Sequence, residues 1–170
     1  MKPDPAPSPA ELVSAHGRAV DEVNRWRGRC IECFARIEDA AGQAIEALIA
    51  SGRSKSKRVP PLFGQKIEFL RSALTDPGLP AIARKSSKAL ATLDPILELR
   101  NSLVHAPGHV WIDGRPHWLW TYRFHSNGKS ALQQSGSIEE RDARKIEREL
   151  SKSARSLCDT LRNLVAALDA

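Results

Sequence analysis

The 170-residue sequence predicts a mainly α fold, an antiparallel bundle of four to five helices with a β-hairpin inserted before the last long helix. Three observations predict it. Apolar residues recur three and four positions apart along most of the chain, as on one face of a helix. One stretch, Val110 to Phe124, alternates instead. The helical stripes need partners, and amphipathic helices bury such stripes by packing against one another.

Residues 1–9 carry four prolines and no periodicity, which predicts a disordered tail ahead of a single helical domain over residues 10–170. From Ala10 to Ala50 a long helix follows from Val20, Val23, Trp26, Cys30, Phe34, Ile37, Ala41, Ile45 and Leu48, with Gly28 and Gly42 as points of break or bend. Residues 51–61 form a polar, basic loop. A second helix is expected from Leu62 to Leu74, with Phe63, Ile67, Leu70 and Leu74 on one stripe. The turn Thr75-Asp-Pro-Gly-Leu-Pro80 leads to a third helical region, Ala81 to His105. Pro95 kinks or splits that region, with Asp94 as an N-cap and the proline at the first helical position. Pro107 and Gly108 end it.

The alternating stretch places Trp118, Trp120, Tyr122 and Phe124 on one face. Asp113-Gly114 signals a hairpin, and the insertion spans about residues 109–135. Asn127-Gly128 is a place for a third short strand to begin. Such an aromatic face either packs against a helix or stacks bases. Ser137-Ile-Glu-Glu140 reads as a capping box opening the last helix, which runs to about Leu168 on a stripe of Ile146, Leu150, Ala154, Leu157, Leu161, Leu164 and Leu168.

The formal net charge is +6, and the positive charge is concentrated. Nine Lys/Arg face two acids between Ser51 and Leu90. Arg53, Lys55, Lys57 and Arg58 in the basic loop are therefore candidate contacts to a polyanion such as RNA. No apolar run approaches the ~20 residues of a membrane-spanning helix, and the N-terminus lacks the apolar stretch of a signal peptide, so a cytoplasmic protein without a membrane partner is expected. Cys30, Cys33 and Cys158 are an odd number without zinc spacing. Cys30 and Cys33 share a helical face, where packing is the ordinary role. His16, His109, His117 and His125 show no convincing ligand spacing, and no metal or cofactor is expected.

The run Leu97-Glu-Leu-Arg-Asn-Ser-Leu-Val-His105 closes the third helical region. It resembles the motif of the HEPN superfamily, an Arg, a polar residue, three further residues and a His near the end of a late bundle helix. The resemblance covers the bundle, about three quarters of the chain, and not the aromatic insertion. It implies a metal-independent endoribonuclease, a homodimer, and a role as a toxin or antiviral effector, with an antitoxin-like protein as a further partner. Arg100, Asn101 and His105 are the residues it marks as catalytic.

The chemistry agrees. RNA is cut when its 2′-hydroxyl attacks the adjacent phosphorus, giving a 2′,3′-cyclic phosphate and a 5′-hydroxyl. A His exchanges protons near neutral pH, and an Arg offers a permanently charged planar fork to phosphate. Asn101 and His105 are one turn apart on one face, whereas Arg100 and His105 diverge by ~140° around the helix. A two-fold pair of helices would bring Arg100 of one protomer to His105 of its partner. Two other readings stand beside this one: a non-catalytic RNA- or nucleotide-binding HEPN module, and a helical interaction protein. The ordinary role of a late-helix arginine is an ion pair, here with Glu98 or Glu147.

Overall fold

A computed structural model describes residues 8–54, 56–112, 117–125 and 133–169. Residues 1–7, Lys55 and the turn signals Asp113-Gly114 and Asn127-Gly128 lie outside the described residues. So do the side chains of Phe124, His125, Gln133 and Gln134.

The fold is mainly helical. Among the described residues there are five helices: α1 (Pro9–Ala50), α2 (Phe63–Ala73), α3 (Ile82–Ala91), α4 (Asp94–His105) and α5 (Glu140–Leu168). Between α4 and α5 lies a three-stranded antiparallel sheet in the order β1-β2-β3, formed by β1 (Gly108–Ile112), β2 (Trp118–His125) and β3 (Gln133–Glu139). No helix among the described residues is long and apolar enough to cross a membrane. The residues divide into two compact units, one of residues 1–31 and 99–148, the other of residues 32–98 and 149–170.

Helix α1 starts one residue before the predicted Ala10, and its start is a capping box. Ser8 N–H and Oγ–H both donate to Glu11 Oε2 at 2.7 Å, and Glu11 N–H is directed back to Ser8 Oγ at 3.4 Å. Pro9 takes the first helical position, where its missing N–H costs nothing. Gly28 and Gly42 do not interrupt the helix.

In the first unit the sheet packs its inner face on α1. Register places Val110 opposite Trp120 and Ile112 opposite Trp118, and Trp120 opposite Ile138 on the other side. Trp118 and Trp120 are buried. Trp26 of α1 meets Trp118 with ring centroids 5.9 Å apart and Trp120 at 5.8 Å, the latter edge to face. Trp120 also stacks on Tyr122 at 4.7 Å. Each such pair adds about 0.5–1.5 kcal/mol beyond the area it buries. Two glycines make room for the stack. A Cβ at Gly108 would lie 2.0 Å from Trp120 Nε1, and one at Gly136 would lie 2.6 Å from the Tyr122 hydroxyl. Trp118 Nε1 donates to Glu22 at 3.1 Å, and His16 Nε2 donates to the Val110 carbonyl at 3.0 Å.

The third strand displaces the predicted helix start. Ser137 and Ile138 lie in β3, opposite Thr121 and Trp120, and α5 begins at Glu140. The reason is the alternation around Ser137: Ser135, Ser137 and Glu139 are exposed while Ile138 is buried. Burying Ile138 against the tryptophan face outweighs a capping bond that water can replace.

In the second unit the predicted stripes are buried: Phe34, Ile37, Ala41, Ile45 and Leu48 of α1, Phe63, Ile67 and Leu70 of α2, and Leu150, Leu157, Leu161 and Leu164 of α5. Phe34 meets Phe63 edge to face at 6.0 Å, and Lys66 pairs with Glu38 at 3.0 Å. The third helical region is split, as Pro95 allows, into α3 and α4. Asp94 is the first helical residue of α4, and its carboxylate takes Arg71 Nη2 at 2.5 Å. No disulfide joins Cys30, Cys33 and Cys158, and burial pushes the Cys158 thiol up from its ordinary value of 9.0.

Candidate functional site

The Arg-Asn-x-x-x-His motif occupies the last two turns of α4, in the first unit. Buried neighbours set its orientation: Ser102, Leu103 and Ala106 are turned inward, so Asn101 and His105 face outward and are exposed. Arg100 is half-buried. Its Nη1 donates to Asn101 Oδ1 at 3.1 Å, so two of the three motif side chains are directly joined. Glu147, an expected partner of Arg100, is held by Arg29 through two prongs, Nε to Oε1 at 2.7 Å and Nη2 to Oε2 at 3.0 Å.

A residue that the sequence did not mark sits at the end of the motif helix. Arg27 of α1 directs Nε at 3.2 Å and Nη2 at 2.7 Å to the Leu103 carbonyl oxygen, between Arg100 and His105 in sequence. Its guanidinium lies over the Trp120 ring, 5.0 Å from the centroid. Burial lowers the pKa of Arg27 from its ordinary value. A cation at this end complements the carbonyls that the helix leaves unpaired. The 76-residue separation hid the contact. The only local signal was an arginine adjoining the buried Trp26 on a mainly apolar stripe.

The candidate RNA contacts belong to the second unit. Arg53 is exposed and donates to the Gly78 carbonyl at 3.0 Å, just after Gly52, whose φ of 71° turns the chain out of α1. Lys57 and Arg58 are exposed, and Lys55 lies outside the described residues. Trp118 and Trp120 are core rather than a stacking surface, whereas Trp111, on the opposite face of the sheet, keeps 58% of its surface exposed. Among the described residues no group of three or more His, Cys, Asp or Glu stands together as a metal site. Comparison of the chain with protein-family models, with curated proteins and with solved structures gives no match.

Proposed function

We propose that the chain is a metal-independent endoribonuclease of HEPN type, acting as a homodimer through Arg100, Asn101 and His105. The observation that carries the reading is the outward placement of Asn101 and His105 on the closing turns of α4, with Asn101 bonded to Arg100. In this reading His105 moves the protons and Arg100 stabilises charge on the phosphoryl oxygens. The ~140° divergence of Arg100 and His105 around the helix favours a site completed by a second copy. The exposed cations Arg53, Lys57 and Arg58 support a polyanionic substrate. A toxin-like or antiviral role, with an antitoxin-like protein partner, is the biological setting that the motif suggests.

The test is incubation of the purified protein with total RNA in EDTA, followed by end-group analysis. Cleavage leaving 2′,3′-cyclic phosphates and 5′-hydroxyls, lost in Arg100→Ala and in His105→Ala, is the expected result. A strict Mg²⁺ requirement or 5′-phosphate products would overturn the mechanism. Binding of RNA without cleavage by the wild type would leave the non-catalytic HEPN module.

A further inference from the structure

A groove of about 480 Å³ opens in the first unit where the end of β1, the start of β2 and the β3–α5 junction meet. Trp111 and Leu119 line it as cross-strand neighbours, with Glu139 next in register, so the three share one face of the sheet. The exposed Trp111 ring is held by its own edge: Nε1 donates to Thr121 Oγ1 at 3.0 Å. It is a fixed flat surface.

Beside it stands an incompletely satisfied carboxylate. Glu140 lines the groove and keeps only 10% of its side chain exposed. Its Oε1 accepts from Arg144, while Oε2 is buried without a hydrogen-bond partner. His117 Nδ1 is 3.6 Å from Oε2, beyond hydrogen-bond reach, on an imidazole that is 71% exposed; Oε2 itself is closed to solvent, so a ligand reaches it only once a neighbouring side chain such as His117 swings aside. A buried carboxylate oxygen without a donor is costly, so a ligand bringing N–H groups gains there.

The surrounding charges narrow the class. Arg144 compensates Glu140, and among the lining residues Arg141 offsets Glu139, so a cationic ligand finds little net attraction. A neutral flat ring with N–H donors suits Trp111 and Glu140, and a phosphate attached to it suits Arg141. Among the RNA bases, guanine presents two adjacent donors, N1–H and N2–H, on its Watson–Crick edge. Adenine and cytosine set a ring-nitrogen acceptor beside their amino group, and uracil flanks its single N–H with carbonyls; each would meet the carboxylate with repulsion.

We propose that this groove binds an unpaired guanine base, with Trp111 as the stacking surface and Glu140 Oε2 as the acceptor for its Watson–Crick edge. The consequence for cleavage, a preference for RNA with a guanine at a fixed distance from the cut, rests on the ribonuclease reading; the binding does not.

The experiment is calorimetric titration of the whole protein with 5′-GMP, AMP, CMP and UMP. Wild type should bind GMP saturably and about tenfold or more tightly than the other three. Glu140→Gln should abolish that preference, Trp111→Ala should weaken GMP about tenfold or more, and Trp111→Phe should retain most of it. Trp111 is exposed, so its variants report even if Glu140→Gln fails to fold. No saturable GMP binding in the millimolar range, equal affinity for all four nucleotides, or Trp111→Ala binding as wild type would overturn the proposal. Mononucleotides contain no internal phosphodiester to cut. Guanine binding without RNA cleavage therefore sinks the ribonuclease reading alone, and cleavage without guanine binding sinks this one alone.

Discussion

Arg27 and Leu103 form a two-pronged contact in which one guanidinium holds one carbonyl oxygen at the end of the motif helix. Few donors could do this from so far along the chain, since the contact needs a planar fork and an apolar support, here the Trp120 ring.

Removing the fork should loosen that helix end. Arg27→Ala is expected to destabilise the fold by about 1.5–3 kcal/mol, the range for hydrogen bonds to charged groups. Arg27→Lys should recover only part, because an ammonium keeps the charge and loses the fork. Thermal denaturation measures both. An Arg27→Ala protein that melts with the wild type would show that the contact contributes nothing to stability.

Glycine substitutions should separate by sign. Gly108→Ala drives a methyl into Trp120 and should cost roughly 2 kcal/mol or more through disruption of the Trp120–Tyr122 stack. Gly17→Ala, inside α1 with nothing within 4 Å, should stabilise by about 0.5–1 kcal/mol. Urea denaturation of the two variants beside wild type reads the difference directly.

The capping box makes a pH prediction. Hydrogen bonds from the Ser8 hydroxyl and backbone N–H hold the Glu11 carboxyl below its ordinary 4.5. A depressed folded-state pKa gives stabilisation that is complete above the unfolded value and is lost as pH falls through the folded one. An NMR titration of the Glu11 side chain should therefore find a midpoint below 4.5, and Ser8→Ala should move it upward. A wild-type midpoint at or above the ordinary value rejects the box in solution.

Mixing inactive subunits tests the composite site. Arg100→Ala and His105→Ala proteins, each inactive, should complement after subunit exchange, because each mixed dimer keeps one site with both groups. Random exchange makes about half the dimers mixed, so recovery should approach roughly a quarter of wild-type cleavage. Persistent inactivity after verified exchange would exclude independent sites shared between protomers, and a monomer that still cuts RNA would remove the dimer from the mechanism.

What the sequence carried well was periodic and local. The stripes of α1, α2 and α5, the break at Asp94-Pro95, and the alternation of Trp118 and Trp120 all follow from neighbours within a few residues. One cue was misread and another passed over because each was judged by one level of interaction. Ser137-Ile-Glu-Glu140 has the letters of a cap, but Ile138 completes a strand against Trp120. Ser8-Pro-Ala-Glu11 has the same letters inside a proline-rich tail and does form a cap. At the candidate site, the motif and its position on a helix end were legible. Arg27 and Glu140 were not, since one depends on a carbonyl 76 residues away and the other on a strand that pattern alone did not extend.

The bond from His16 to Val110 bears on solubility. β1 is an edge strand, and its outer carbonyls are a template on which another chain's strand could add. With the Val110 carbonyl occupied by an imidazole from α1, that template is interrupted at its middle residue. A histidine with no part in the proposed chemistry thus guards the small sheet against growing into an intermolecular one, and a chain with an apolar residue at position 16 would be prone to aggregate from this edge.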